Sequence, residues 1–169
     1  AEIKRAKVED VLDMMSENLP ENPIRMDNRD LHYQVGRLYM GIGNKEKFKA
    51  VLSILMKRND NTVRHRVEYA QSYLELEEFE TSLPILKNLY NGYNSVEAKI
   101  LAGGRERKNV NTQMWNQYRK HYPDIVSQLV INYRKLEMPD EAKDLLTTWL
   151  DRNPKDKEAK KLLKELTDS

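Results

Sequence analysis

The sequence predicts an all-α chain: a right-handed solenoid of stacked helical hairpins, about nine or ten helices with a C-terminal capping helix. Three observations predict it. Residues 29–90 hold two copies of one pattern, in which Val35-Gly36, Tyr39, Gly43, Phe48, Leu52 and Leu55 recur as Tyr69-Ala70, Tyr73, Glu77, Ser82, Leu86 and Leu89, each 34 residues on. A third copy, Leu129-Val130, Tyr133, Glu137, Ala142, Leu146, Trp149 and Pro154, returns 60 residues after the second. No stretch shows strand-like alternation of apolar and polar residues beyond about four positions. A fixed period of this length marks helix–turn–helix units that bury their apolar faces only against like neighbours. The chain thus reads as one domain over 1–169, with repeats at about 29–62, 63–90 and 123–154, an irregular helical insert at 91–122 and a cap at 155–169.

The elements follow in order. Residues 2–18 read as a helix with Val8, Val11, Leu12, Met15 and Leu19 on one face, ended by Pro20. Residues 21–26 are then extended, with Ile24 and Met26 tucked under the next helix. That helix, over 29–40, presents Leu31, Val35, Leu38 and Tyr39 inward. Gly41-Ile42-Gly43-Asn44 is its turn, and Asn44 caps a third helix carrying Phe48, Val51, Leu52, Leu55 and Met56 on one face. Asp60-Asn61 breaks and caps again, before a helix over 62–76. Pro84 is cheap only in a first turn, which starts the next helix late, with Thr81 near its cap.

From Tyr73 to Tyr133 the spacing exceeds one period by 26 residues. Within that excess, Asn94-Ser95-Val96-Glu97 reads as a capping box opening a short helix to Ala102, stopped by Gly103-Gly104. A polar loop over 105–111 and a further helix over 112–121 follow; the pieces fit either a degenerate repeat or a loop elaboration. Pro123 and Pro139 each open a helix at its first position. The last helix sets Ala159, Leu162, Leu163 and Leu166 opposite Lys157, Lys160, Lys161 and Lys164, the one-sided face a terminal cap needs.

These residues resemble the tetratricopeptide repeat family, which places Gly or Ala early in the first helix, an aromatic three residues on, Gly at the turn and a small residue early in the second helix. Gly36, Tyr39 and Gly43 match in the first copy, Ala70, Tyr73 and Ser82 in the second, Tyr133, Ala142 and Pro154 in the third. Phe48, Val130, Glu77 and Glu137 depart from the pattern. The resemblance implies a concave groove lined by the first helix of each repeat, whose matching positions here are Tyr33 and Arg37, Val67 and Gln71, and Ser127 and Ile131. Members that clamp a terminal carboxylate carry Lys and Asn at the first pair. Tyr33 and Arg37 stand there instead, and the mixed aromatic, basic and amide lining suits an extended or helical peptide segment. A weaker resemblance rests on the helix ending in Leu19-Pro20, the short extended link, and the helix with Gly36 and Tyr39 before the Gly43 turn. That order is similar to the soluble C-terminal tail of bacterial protein-mannosyltransferase-like multi-pass membrane proteins.

Composition narrows the chemistry. A net charge of +2 gives no global pull toward nucleic acid or an anionic membrane, and no apolar run approaches the roughly 20 residues of a membrane span. The lack of Cys removes disulfides, thiolate nucleophiles and most zinc sites, and leaves the compartment open between cytoplasm and periplasm. His32, His65 and His121 lie on separate predicted helices without metal-ligand spacing. No phosphate-cradling Gly-rich loop or nucleophile elbow is present. No catalytic residue, cofactor or metal is expected. One charge concentration stands out, Arg105, Arg107, Lys108, Arg119 and Lys120 interleaved with Trp115, Tyr118 and Tyr122, a candidate basic and aromatic patch for single-stranded nucleic acid or an acidic peptide.

The expected function is therefore a protein-interaction module that holds a peptide or partner segment in its groove, with nucleic acid disfavoured. The alternative is a non-catalytic soluble C-terminal domain of a larger bacterial membrane-bound glycosyltransferase-like protein. The start on Ala1 fits a piece cut from such a longer chain, tethered to the membrane through its N-terminal side.

Overall fold

The computed structural model describes residues 2–17 and 27–168, which include nine helices and no strand. The expected positions of Leu19, Ile24 and Met26 lie outside the described residues. The chain divides into two compact units, Ala1–Asn61 and Thr62–Ser169, so the division falls at the end of the first repeat.

The first unit holds α1 (Glu2–Glu17), α2 (Asp27–Gly41) and α3 (Lys45–Met56). Its core is Val35 and Tyr39 from α2 against Phe48, Leu52 and Leu55 from α3, joined by Leu12 of α1. Of the apolar face expected on α1, Leu12 is buried but Val8, Val11 and Met15 are exposed, and so are Leu31 and Leu38 of α2. The reason is that α1 is held through polar contacts. Asp13 accepts from the Tyr39 hydroxyl at 2.7 Å and from Lys47 Nζ at 2.6 Å, while Asn44 donates to Glu9. The Lys47 ammonium and the Tyr39 hydroxyl hold the Asp13 carboxyl below its usual range. At the far end Arg29 is buried against Asp60, which Arg58 also grips.

The second unit holds α4 (Val63–Glu75), α5 (Phe79–Ala102), α6 (Gly104–Lys108), α7 (Thr112–Lys135), α8 (Pro139–Arg152) and α9 (Lys157–Thr167). Leu86, Leu89, Ile125, Leu129 and Ala142 centre its core, with Leu162, Leu163 and Leu166 of α9 closing one side. Thr62 caps α4, where Asp60-Asn61 was expected to. His65 completes a capping box by accepting from the Thr62 N–H through Nδ1, which gives this histidine a structural role. Asn61 instead uses its amide on the Leu55 and Arg58 carbonyls, closing the end of α3.

The three hairpin turns are built alike. Gly43, Glu77 and Glu137, which share one position in the repeat, all take positive φ, at 78°, 62° and 56°. After each, the next N–H donates to the carbonyl of the repeat tyrosine at 2.8 Å: Asn44 to Tyr39, Glu78 to Tyr73 and Met138 to Tyr133. This is the Schellman closure, and two of the three turns adopt it with Glu at the position that favours Gly. The other departures are paired in the same way. A Cβ on Gly36 would lie 2.9 Å from the Phe48 ring, so the missing side chain on α2 is what admits the large one on α3. Ala70 and Ser82 occupy the equivalent positions as two small residues, joined by a 2.9 Å bond from the Ser82 hydroxyl to the Ala70 carbonyl. Val130 and Ala142 again pair a larger residue with a small one.

The insert is not a set of separate pieces. Residues 91–102 continue α5 and residues 112–121 continue α7, so both helices reach 24 residues. Two local signals are overridden. The capping-box residues 94–97 lie inside α5 because Tyr93 and Val96 are buried there. Pro123 lies in the interior of α7, not at a helix start, because Tyr122, Ile125 and Val126 on either side of it are buried. Likewise α5 begins at Phe79, five residues ahead of Pro84, with Ser82 already bonded to α4. Gly104 of the expected stop and residues 105–108 of the expected polar loop form α6. The extended halves of α5 and α7 pack through Gly92, whose hydrogen faces the Tyr118 hydroxyl, and through an aromatic stack. Tyr93 lies 3.7 Å from Tyr122 and 5.3 Å from Trp115, and Trp149 of α8 joins at 5.8 Å from Tyr122. Arg152 covers Tyr122 and pairs with Glu97 at 2.8 Å. Burial and the Glu97 carboxylate push the Tyr93 phenol up to about 12.

Candidate functional site

The site builds on α7. Four residues one helical face apart, Asp124, Ser127, Ile131 and Arg134, point away from the core that Ile125, Leu129 and Tyr133 enter. On one side, α4 supplies Gln71, Leu74 and Glu75, enclosing with α7 a cavity of about 410 Å³. On the other, Leu146 and Trp149 of α8 and Glu158, Ala159 and Leu162 of α9 enclose a second cavity of about 410 Å³. Asp124, Ser127 and Ile131 line both, so the two are one groove crossing α4, α7 and α9.

The groove has an apolar floor and a charged rim. Ile131 is 44% exposed on it, although Val130 beside it is 3% exposed. The rim carries Glu75, Asp124 and Glu158 against Arg134, with Asp156 at one corner. Asp156 is committed to structure. It caps α9 by accepting from the Ala159 N–H at 3.0 Å and takes the Trp149 indole N–H at 2.9 Å, and these two bonds hold its carboxyl below the usual range. His121 Nδ1 sits 3.7 Å from Asp124. Gln128, 7% exposed, lines the α4–α7 cavity, and among the described residues its buried Oε1 has no hydrogen-bond partner.

Of the residues expected to line a groove, the structure brings Gln71, Ser127 and Ile131 together. Val67 is a correction: at 4% exposure it belongs to the core, because its position on α4 faces the interior of the second unit. Tyr33 and Arg37 lie in the first unit, where both pack on the Phe48 ring, at 6.5 Å and 5.7 Å from its centroid. Asp124, Arg134, Glu75 and Glu158 were missed. Asp124 and Arg134 sit three residues before Ser127 and three after Ile131, so helical spacing from the two expected positions points to them.

The basic and aromatic patch comes apart. Arg105, Arg107, Lys108, Arg119 and Lys120 are exposed, whereas Tyr118 and Tyr122 are buried and Trp115 is half-buried on Tyr93. Among the described residues no group of three or more His, Cys, Asp or Glu side chains is arranged to hold a metal ion. No helix described is long and apolar enough to cross a membrane. No protein-family model matches the chain, and neither does any curated protein or solved structure.

Proposed function

We propose that the chain is a tetratricopeptide-type solenoid that acts as a protein-interaction module, holding a partner segment in the α4–α7–α9 groove and working by contact, not by catalysis. The groove itself carries this reading: Gln71 and Ile131, which hold equivalent places in two copies of the pattern, meet with Ser127 around two confluent cavities with an exposed isoleucine at their junction. The three equivalent hairpin turns support the repeat architecture.

The lining also describes the partner. Covering Ile131, Leu74 and Leu162 calls for aliphatic side chains, each worth roughly 1.5–3 kcal/mol when fully buried. Glu75, Asp124 and Glu158 around a single Arg134 favour Lys or Arg beside them. The partner is then an apolar segment with flanking cations. Panning a random peptide library against the whole chain tests this. Enriched peptides should combine aliphatic residues with Lys or Arg, and Ile131→Asp should weaken them by at least about 2 kcal/mol at an unchanged melting temperature. Enrichment of acidic peptides, or indifference to Ile131→Asp, contradicts the reading.

A further inference from the structure

The 22 residues from Lys99 to Lys120 carry six cations, Lys99, Arg105, Arg107, Lys108, Arg119 and Lys120, against the single anion Glu106. That is a net +5 in a chain whose total is +2, so the remaining residues sum to −3. The near-neutral total conceals a strongly positive end. The fold concentrates it: this segment is the last turn of α5, then α6, then the first turns of α7, the outer end of the long antiparallel hairpin. All six cations are exposed, and among the described residues none of them is in an ion pair; Arg119 lies over the Trp115 ring at 6.0 Å.

The same end exposes apolar side chains. Leu101 is 79% exposed and Met114 is 41% exposed. Of the aromatic residues interleaved with the cations, Tyr118 and Tyr122 face inward at 8% and 7% exposure, and Trp115 is half-buried between Tyr93 and Arg119. A single-stranded nucleic acid needs open aromatic faces on which bases stack. None is offered by these two tyrosines, the Trp115 ring is flanked by Tyr93 and Arg119, and an exposed leucine gains nothing from a phosphate backbone. A headgroup layer over hydrocarbon suits the combination of cations and exposed Leu and Met instead.

We infer that the outer end of the α5–α7 hairpin is a docking surface for an anionic lipid bilayer, with Arg105, Arg107 and Lys108 on the headgroups and Leu101 dipping to the acyl boundary. The chain adsorbs there without spanning. Each basic residue near an anionic surface contributes about fivefold to partitioning, and a buried leucine on the order of tenfold.

Co-sedimentation of the whole chain with vesicles tests the assignment, using phosphatidylcholine alone and phosphatidylcholine mixed with phosphatidylserine. Binding should require phosphatidylserine and vanish near 1 M salt, where screening cuts in at about 3 Å. The triple variant Arg105→Gln, Arg107→Gln, Lys108→Gln should bind on the order of 100-fold more weakly, and Leu101→Ser on the order of tenfold more weakly. Thermal melts by circular dichroism accompany both. Should the triple variant melt early, Lys99→Gln with Lys120→Gln replaces it, with an expected loss of about 25-fold. Absence of binding to phosphatidylserine vesicles at low salt overturns the inference. So does binding that Leu101→Ser leaves unchanged, and so does binding of oligo-dT with the vesicles ignored.

Discussion

Replacing Gly92 with Ala tests whether the extended halves of α5 and α7 form one packed hairpin. Two effects of opposite sign compete. In a helix interior Ala is favoured over Gly by roughly 1 kcal/mol, so at an open position the substitution stabilises. Here the added Cβ would fall 2.2 Å from the Tyr118 hydroxyl oxygen and 2.9 Å from Cζ. Non-bonded contact needs about 3.5 Å, so the ring must retreat by more than about 1 Å. Tyr118 is only 8% exposed and has no solvent to retreat into. Overpacking of this kind costs roughly 1–3 kcal/mol, and a displacement this large belongs at the upper end. The net expectation is a loss of about 2 kcal/mol, or a melting temperature lower by roughly 4–8 °C for a chain of this size. Tyr118→Phe removes the closest atom, so the double variant should recover at least about 1 kcal/mol over simple additivity. Circular dichroism melts of the four proteins supply the cycle. A rise of about 2–4 °C for Gly92→Ala alone would mean that nothing faces Gly92, and the paired-hairpin account would fail.

The turns give a prediction of opposite sign. Glu77→Gly and Glu137→Gly should each stabilise by about 0.5–1 kcal/mol by relieving positive φ, whereas Gly43→Ala should destabilise; urea titration reads all three. Gly36→Ala should cost roughly 1–3 kcal/mol, and the loss should shrink in a Phe48→Leu background, because the added Cβ meets the Phe48 ring at 2.9 Å. Asp156→Ala should cost about 1 kcal/mol near neutral pH, read by tryptophan fluorescence on unfolding in a Trp115→Phe background that leaves Trp149 as the reporter. The Ala159 and Trp149 bonds lower the folded-state pKa of Asp156 beneath its unfolded value of 3.8. Its contribution is therefore complete above about pH 4 and lost as pH falls through the lowered value, so wild type and variant should converge in acid and run parallel between about pH 6 and 8.

What could be read from residues alone was whatever the repeat itself determines. The spacing of Tyr39, Tyr73 and Tyr133 put Gly43, Glu77 and Glu137 at turns, and all three take positive φ there, the two glutamates despite their chemistry. Where a local signal met tertiary burial, the local signal lost. Pro84, Pro123 and the capping box at 94–97 each argue for a helix boundary, yet Leu86, Ile125 and Val96 are buried only if the helices run on. The excess of 26 residues was visible, but its form was not, because spacing cannot tell an added helix from two lengthened ones. The groove was legible in part. Ser127 and Ile131 follow from register, whereas Val67 has the same register and turns inward, because side-chain direction depends on how each helix is rotated against its neighbours. The acidic rim draws Glu75, Asp124 and Glu158 from three helices, and no sequence pattern joins them.

The most direct test of the central claim is a methyl-labelled NMR titration of the whole chain with a peptide selected on it. The account predicts that the signals of Leu74, Val130, Ile131 and Leu162 shift together and saturably, while those of Leu52 and Leu55 in the first unit's core stay fixed. Shifts confined to exposed methyls elsewhere, such as Leu101 or Ile54, with Ile131 unmoved, would contradict it.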